Sequence, residues 1–239
     1  TDLAYRLLLN EEYPGWLHEG KLGATTVRER WNSLDENGRI SSTGMNSLNH
    51  YSYGAVLEWI FRHVAGIDVT EQGPGGKMMR ISPKVDHKLG SASAVYDSAS
   101  GCYRCGWQIE NGDQITVTVT VPFGAKAQVI LPYAPDSVYH DTDNPLFETV
   151  ENGICCVKAG QYTVTYKAAS PLKKSYSVDS TLEDLLAEPA IRAFLSNMME
   201  VDMIPDLAYG LTLRQAAEAF AGGVSAEQAQ RLNALLEEF

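Results

Sequence analysis

The run Gln114-Ile115-Thr116-Val117-Thr118-Val119-Thr120-Val121 decides the fold of the region around it. Isoleucine and valine alternate with threonine along the whole run. Strict alternation of β-branched residues predicts a strand with one face in a core. Other strand candidates surround it, and turn-forming residues such as Asn111-Gly112 separate them. These candidates are residues 77–81, 91–96, 103–110, 127–131, 154–157 and 162–166. Short strands at this spacing predict an antiparallel β-sandwich over residues 68–178.

Residues 1–67, before the strands, are predicted to contain two helices joined by a loop. Asp2 can cap a short helix over residues 2–9, which Tyr13-Pro14-Gly15 would end. The strongest helix signal covers residues 46–65, with Gly66 as its stop. This helix is apolar on most of its circumference, so we expect it to be buried among other helices. Either the β region or helices outside this sequence could cover it, and we favour the second alternative.

Residues 179–239 return to helical periodicity and predict a small helical appendage of four helices. We find no catalytic pattern in it, and its leucine spacing is more typical of a core than of a groove for a partner. The start signals of the four helices are Ser180 or Asp179 with Glu183, then Pro189, then Thr212 with Gln215, and finally Ser225 with Gln228.

Composition excludes some partners without identifying one. The formal net charge of the 239 residues is −11, which disfavours nucleic acid and anionic membrane surfaces as partners. A neutral ligand such as a sugar is compatible with this charge. No apolar run is long enough to predict a transmembrane helix, and the first residues lack the pattern of a signal peptide.

The cysteines indicate ordinary thiols rather than a metal or redox centre. Cys102 and Cys105 have CxxC spacing, but they fall in a predicted strand, where residues three apart point to opposite faces. Cys155 and Cys156 are adjacent, which is poor geometry for a four-thiolate zinc site. We therefore expect no metal or other cofactor, and reduced thiols in a cytoplasmic protein.

Three motifs precede the strands in a fixed order. They are Tyr13-Pro14-Gly15-Trp16, the run Gly23-Ala24-Thr25-Thr26-Val27-Arg28-Glu29-Arg30-Trp31-Asn32, and Asn49-His50-Tyr51-Ser52-Tyr53-Gly54. In sequence and spacing they resemble the α-L-rhamnosidases of glycoside hydrolase family 78. The strand region is similar to the C-terminal domain of that family through Pro74-Gly75-Gly76-Lys77, residues 101–107 and Val119-Thr120-Val121-Pro122. The resemblance covers about residues 1–168.

The resemblance implies the end of an (α/α)6 barrel, followed by the sandwich, in an enzyme that hydrolyses terminal α-L-rhamnosides with inversion. It places the general base on Glu29 and a rhamnose contact on His50. Arg28 and Asn32 depart from the family, which usually has tryptophan and aspartate there. The family's general acid lies before residue 1, so this chain alone is expected to be inactive towards a rhamnose-containing glycoside.

The same residues can be interpreted without the family. Arginines on both sides of Glu29 would favour its ionised form, as a base requires. Trp16 and Trp31 suit the wall of a sugar site, because aromatic faces cover the apolar faces of a deoxyhexose. The structural alternatives are a surface ion pair for Glu29, a helix-end histidine at position 50 and a packing role for Trp16.

Two further expectations concern function and assembly. A non-catalytic carbohydrate-binding or structural β-sandwich module is the alternative function, although no aromatic platform is evident in the strands. Apolar helix faces in residues 1–67 predict self-association, because large exposed apolar patches are uncommon on monomers.

Overall fold

A computed structural model of the chain describes residues 2–35, 37–42, 46–141, 143–220 and 222–237. The chain divides into two compact units, residues 1–172 and 173–239. No helix among the described residues has the length and apolar character needed to cross a lipid bilayer.

The first unit begins with short helices. Helix α1 spans Asp2–Leu8 and α2 spans Trp16–Lys21. A longer helical run follows, made of a 3₁₀ turn at Ser52–Ala55, helix α3 at Val56–Trp59 and a π turn at Ile60–Val64.

Two sequence predictions in this region were wrong. Helix α2 lies where a loop was expected, and the longer helix begins at Ser52 rather than at residue 46. Residues 46–51 are irregular because part of this stretch hydrogen-bonds to an earlier loop, as when the His50 N–H donates to the Val27 carbonyl.

Among the described residues, helices of this chain do not enclose the longer helical run, and its burial by helices outside this sequence stays a prediction. Only Val64 of the run is buried, whereas Leu57 is 57% exposed and Phe61 is 40% exposed. One face of the run therefore presents apolar side chains to solvent.

Over its described residues, the rest of the first unit forms nine strands in two sheets. The five-stranded sheet has the order β1-β2-β6-β8-β7, and the four-stranded sheet has the order β3-β4-β5-β9. The strands are β1 Ile67–Val69, β2 Met78–Ile81, β3 Ser91–Ser98, β4 Gly101–Glu110, β5 Gln114–Val121, β6 Lys126–Val129, β7 Val150–Glu151, β8 Ile154–Val157 and β9 Gly160–Lys167.

The predicted strands all occur, and β1 and β7 are additional. The four-stranded sheet is antiparallel throughout. In the five-stranded sheet β2 and β6 pair in parallel, which the expectation of a purely antiparallel region did not include. The inward residues of both sheets belong to one core, for example Met79 and Ile81 of β2 with Val117 and Val119 of β5.

Close contacts join the helices to the sheets. Tyr5 of α1 and Val64 of the π turn belong to the same core as the strands. The Tyr5 hydroxyl donates to the Lys84 carbonyl, and the Trp107 indole N–H donates to the Val64 carbonyl at 2.7 Å. Gly66, with φ +79°, makes the turn into β1 so close to Pro83 that a Cβ would lie 2.2 Å from the proline nitrogen.

The second unit is helical, with a core of its own. Its helices are α4 Leu182–Leu186, α5 Pro189–Ser196, α6 Leu213–Phe220 and α7 Ala226–Leu236. The predicted N-terminal boxes of α6 and α7 are confirmed, since Thr212 and Ser225 exchange hydrogen bonds with Gln215 and Gln228.

The predicted cap of α4 was wrong. Thr181, rather than Ser180 or Asp179, accepts the Asp184 N–H at 3.2 Å. Ser180 instead accepts the Ser177 N–H through its side chain, and Asp179 pairs with Arg214. Both predicted caps therefore have other partners.

All four cysteines are free thiols. Cys105 is buried and Cys102 is half-buried, in agreement with their position on one strand, while Cys155 is buried and Cys156 exposed.

Candidate active site

Two irregular segments lie side by side at the motifs singled out in the sequence. The Glu29 N–H donates to the Ser47 carbonyl at 2.9 Å, and the His50 N–H donates to the Val27 carbonyl at 2.8 Å. The Thr26 hydroxyl adds a bond to the Leu48 carbonyl at 2.5 Å. The second and third motifs are therefore held together although sixteen residues separate them in the chain.

Glu29 is half-buried and held by one of its two carboxylate oxygens. Its Oε2 accepts the Ser47 N–H at 2.9 Å. Among the described residues, no donor lies within hydrogen-bonding distance of Oε1, and that oxygen is not fully buried. Glu29 thus has one fixed oxygen and one oxygen open to solvent or substrate.

The arginines beside Glu29 are not its partners. Over the part of the chain that the structure describes, no ion pair within 4.0 Å joins Glu29 to Arg28 or Arg30. The simple surface ion pair considered for Glu29 is therefore absent there, and so is the direct arginine contact that was expected to favour its ionised form.

Arg28 instead influences another carboxyl group, the buried one of Glu19. Arg28 and Glu19 of α2 are each only 5% exposed. Burial raises the pKa of Glu19, and the charge and backbone N–H of Arg28, with a smaller effect of His18, act in the opposite direction. Glu19 therefore lies near the chain segment that immediately precedes Glu29.

His50 lines an open cleft of about 520 Å³. Its Nδ1 lies 3.1 Å from the Ser52 hydroxyl and accepts the Ser52 N–H at 3.2 Å, and its ring stacks on Tyr51. The cleft is also lined by Thr26, Val27, Asn49, Gly54, Ala55 and Leu57. Asn49 and His50 come from the third motif, while Thr26 and Val27 come from the second, so the paired segments together build the cleft.

Trp16 and Trp31 form an aromatic cluster with Tyr53. The Trp16 and Trp31 rings meet edge to face, with centroids 5.1 Å apart, and Trp31 stacks on Tyr53 at 4.2 Å. The Trp16 indole N–H also donates to the Tyr53 carbonyl at 3.2 Å. Neither tryptophan lines the 520 Å³ cleft, so packing accounts for much of their role in this chain.

The structure adds residues that the sequence did not single out. Ser47 fixes Glu29 through its backbone N–H, which every non-proline residue has, so no side-chain signal marked it. Tyr53 lay in a quoted motif but was not assigned a role. Glu19 gave no signal because it precedes the second motif in an expected loop.

Chemically, the arrangement can accept a proton at Glu29 Oε1. A general base must reach the proton of an attacking water, and the carboxylate oxygen without a protein partner is the one that can accept it. Within the described ranges, no group of three or more His, Cys, Asp or Glu side chains is close enough to hold a metal ion.

Comparison with known proteins identifies two family models in this chain. The model described as the bacterial alpha-L-rhamnosidase six-hairpin glycosidase domain matches residues 1–64. The model of the bacterial alpha-L-rhamnosidase C-terminal domain matches residues 66–144.

Individual relatives agree with these matches. An alpha-L-rhamnosidase of Alteromonas sp. (strain LOR) is 38% identical over 68% of this chain and 17% of its own length. One from Formosa agariphila is 37% identical over 63% of this chain and 16% of its own length.

A solved structure is also similar. The crystal structure of Streptomyces avermitilis alpha-L-rhamnosidase complexed with L-rhamnose has a TM-score of 0.59 and 32% sequence identity, covering 70% of this chain and 16% of that one. The chain therefore spans less than one fifth of the length of the relatives it matches.

Proposed function

We propose that this chain is the C-terminal part of a glycoside hydrolase that releases terminal α-L-rhamnose with inversion. The proposal rests on the match of residues 1–64 and 66–144 to the two bacterial alpha-L-rhamnosidase models. Residues 1–67 would then be the end of an (α/α)6 barrel, residues 68–178 a β-sandwich and residues 179–239 a helical appendage. The apolar side chains that Leu57 and Phe61 expose are what such a barrel segment presents to neighbouring helices.

Glu29 is the proposed general base. In an inverting glycosidase one carboxylate removes a proton from water, while a protonated carboxyl group on the opposite side of the sugar, about 6.5–9.5 Å away, donates to the leaving oxygen. The observation that carries this assignment is the hydrogen bond from the Ser47 N–H to Glu29 Oε2. It holds the carboxylate in place and leaves Oε1 for the water.

His50, Trp31 and Trp16 are the proposed substrate-binding residues. His50 stands on the open cleft next to Glu29's segment, and its Nε2 has no partner among the described residues. Trp31 and Trp16 are half-buried, and their remaining exposed ring surface can pack against the methyl group of rhamnose. Tyr53 holds both rings in place.

The general acid is proposed to lie outside these 239 residues, so the chain alone lacks one half of the reaction. We expect no measurable turnover of an aryl α-L-rhamnoside by this chain. Turnover at the rate of the relatives would contradict the proposal, because a single carboxyl group cannot both protonate the leaving group and deprotonate water. The all-thiol cysteines fit a reducing compartment, and we propose the cytoplasm as its location.

The decisive test uses a longer protein in which the upstream barrel sequence precedes this chain. Glu29→Gln keeps an oxygen for the Ser47 N–H but cannot accept the proton, so the rate should fall at least about 100-fold. Glu71→Gln, at an exposed glutamate in the turn before β2, is the matched control and should keep its rate. NMR of the first-formed anomer reports inversion directly. An unchanged rate in Glu29→Gln would favour the non-catalytic β-sandwich module instead.

A further inference from the structure

The second unit contains an apolar groove of about 280 Å³ that the rhamnosidase proposal does not use. Its walls come from the end of α6 and from the segment between α5 and α6. Met199 and Met203 line it from the segment between α5 and α6, and Ala216, Ala217 and Phe220 line it from α6. The groove is large enough for one or two bulky apolar side chains of a partner.

Large side chains at this groove remain exposed rather than packed into the core. Met203 is 76% exposed and Phe220 is 67% exposed. The leucines of α4 and α5 behave as the sequence predicted and are buried in the core of this unit, to which Ala216 at the base of the groove also belongs. Methionine is flexible and polarizable, and it is common at surfaces that adapt to an apolar partner.

The charge around the groove is negative. Glu200 lines it and is exposed. Over residues 173–239 the sequence has eleven acidic residues and five basic ones, and none of the basic residues lines the groove. Three of the basic residues, Lys174, Arg214 and Arg231, are already paired with Asp184, Asp179 and Glu227, respectively.

This charge decides between possible occupants. A second copy of this unit would bring the same excess of acidic over basic residues to the groove, which is unfavourable for docking there. Anionic membrane surfaces and nucleic acids are disfavoured for the same reason. A cationic segment with an apolar stripe matches both the lining and the charge, because amphipathic helices bind apolar grooves through large anchor side chains.

We propose that the groove formed by Met199, Glu200, Met203, Ala216, Ala217 and Phe220 docks a basic amphipathic helical segment of another protein. A bulky apolar side chain of the partner enters between Met203 and Phe220, and lysine or arginine on its flank pairs with Glu200. This site is independent of Glu29 and of the rhamnosidase reaction.

The test measures binding of synthetic peptides to the whole chain by fluorescence anisotropy. The probe is a fluorescein-labelled helix of about five turns with leucine on one face and lysine on the other. Two matched peptides replace every lysine by glutamate, or every leucine by alanine. We expect the leucine–lysine peptide to bind at least about tenfold more tightly than either matched peptide. Its affinity should also fall as salt is added. Equal binding of the three peptides, or no binding of the first, would overturn the proposal.

Variants of the chain locate the site. Glu200→Lys and Phe220→Ser should each weaken binding about tenfold or more, as expected for residues at an anchor pocket. The controls are Glu237→Lys, at the end of α7, and Phe123→Ser, at an exposed turn of the first unit. Equal losses in the variants and their controls would refute a defined site. Light scattering that shows an oligomer dissociating only in the Phe220→Ser variant would assign the groove to a second copy of the chain. That result would also refute the proposal.

Discussion

The indole N–H of Trp107, in the middle of β4, donates a hydrogen bond to the carbonyl oxygen of Val64 at 2.7 Å. Val64 ends the π turn, and the last carbonyls of a helix have no partner within the helix. Both residues are buried, so water cannot replace the bond. A strand of the four-stranded sheet thus supplies the hydrogen-bond donor for a carbonyl in the last turn of the helical run that follows the candidate active site.

Trp107→Phe should destabilise the first unit. The substitution leaves the buried Val64 carbonyl without a donor and opens space beside it, at a cost of about 1–3 kcal/mol for the lost hydrogen bond alone. Urea unfolding followed by circular dichroism measures the change. Tyr162→Phe is the control, because the Tyr162 hydroxyl bonds to the Lys158 carbonyl at an exposed position. An unchanged urea midpoint for Trp107→Phe would mean that this bond contributes nothing.

Thiol labelling should distinguish the four cysteines. Burial raises the pKa of Cys105 from 9.0 to about 12, and burial with the nearby Cys156 raises that of Cys155 to about 11. Because the thiolate is the reactive form, both should resist iodoacetamide in the folded chain. Cys156 is exposed and should be labelled first, as peptide mass spectrometry would report. Rapid labelling of Cys105 in the native chain would contradict this burial.

The same thiols predict a loss of stability in alkali. In the unfolded chain they release protons near pH 9, whereas in the folded chain they keep them until the pH approaches 11 to 12. Their stabilising contribution is therefore complete below about pH 9 and decreases as the pH rises above it. Cys105→Ala should lessen this decrease in a pH series of urea unfolding curves. An identical slope in the variant would show that another group is responsible.

Thr181→Ala should destabilise the second unit by about 1 kcal/mol, because it removes the side-chain cap of α4. Thermal unfolding monitored by circular dichroism measures the effect. Thr181→Ser keeps the hydroxyl that accepts the Asp184 N–H and is the matched control. A loss of the same size in both variants would show that the cap is not the cause.

Self-association should depend on the apolar face of the helical run. Leu57→Ser with Phe61→Ser should shift the chain towards the monomer in light scattering, since these side chains are exposed in the isolated chain. Phe123→Ser removes an even more exposed aromatic side chain from a different surface and should leave the distribution unchanged. A monomeric unmodified chain would contradict the prediction.

The strands were predictable because their alternation leaves a clear trace in the sequence. In β5 the valines at 117, 119 and 121 are buried, while the threonines between them are more exposed. β7 has only two residues, too few for any alternation. The parallel pairing of β2 with β6 depends on contacts distant in the chain, which a local pattern does not contain.

The candidate site was predictable only in part. The motifs indicated Glu29 and His50, but the position of Glu29 depends on a backbone donor from Ser47. The arginines adjacent to Glu29 in sequence suggested that they contact it directly. In the structure Arg28 is instead buried and interacts with Glu19. Helix α2 has six residues and contains a glycine, so its apolar periodicity is too short to detect.

The single core shared by Tyr5, Val64 and the strands has a consequence for dividing this protein. The matches to the two family models end and begin on either side of residue 65. At this junction Gly66 has no room for a side chain, and the Trp107 indole N–H donates a hydrogen bond to the Val64 carbonyl across it. Replacing the strands of the first unit by those of a relative would replace only part of the hydrophobic core that the helices and strands share. Such a hybrid keeps its stability only when the residues facing the junction are exchanged together with it.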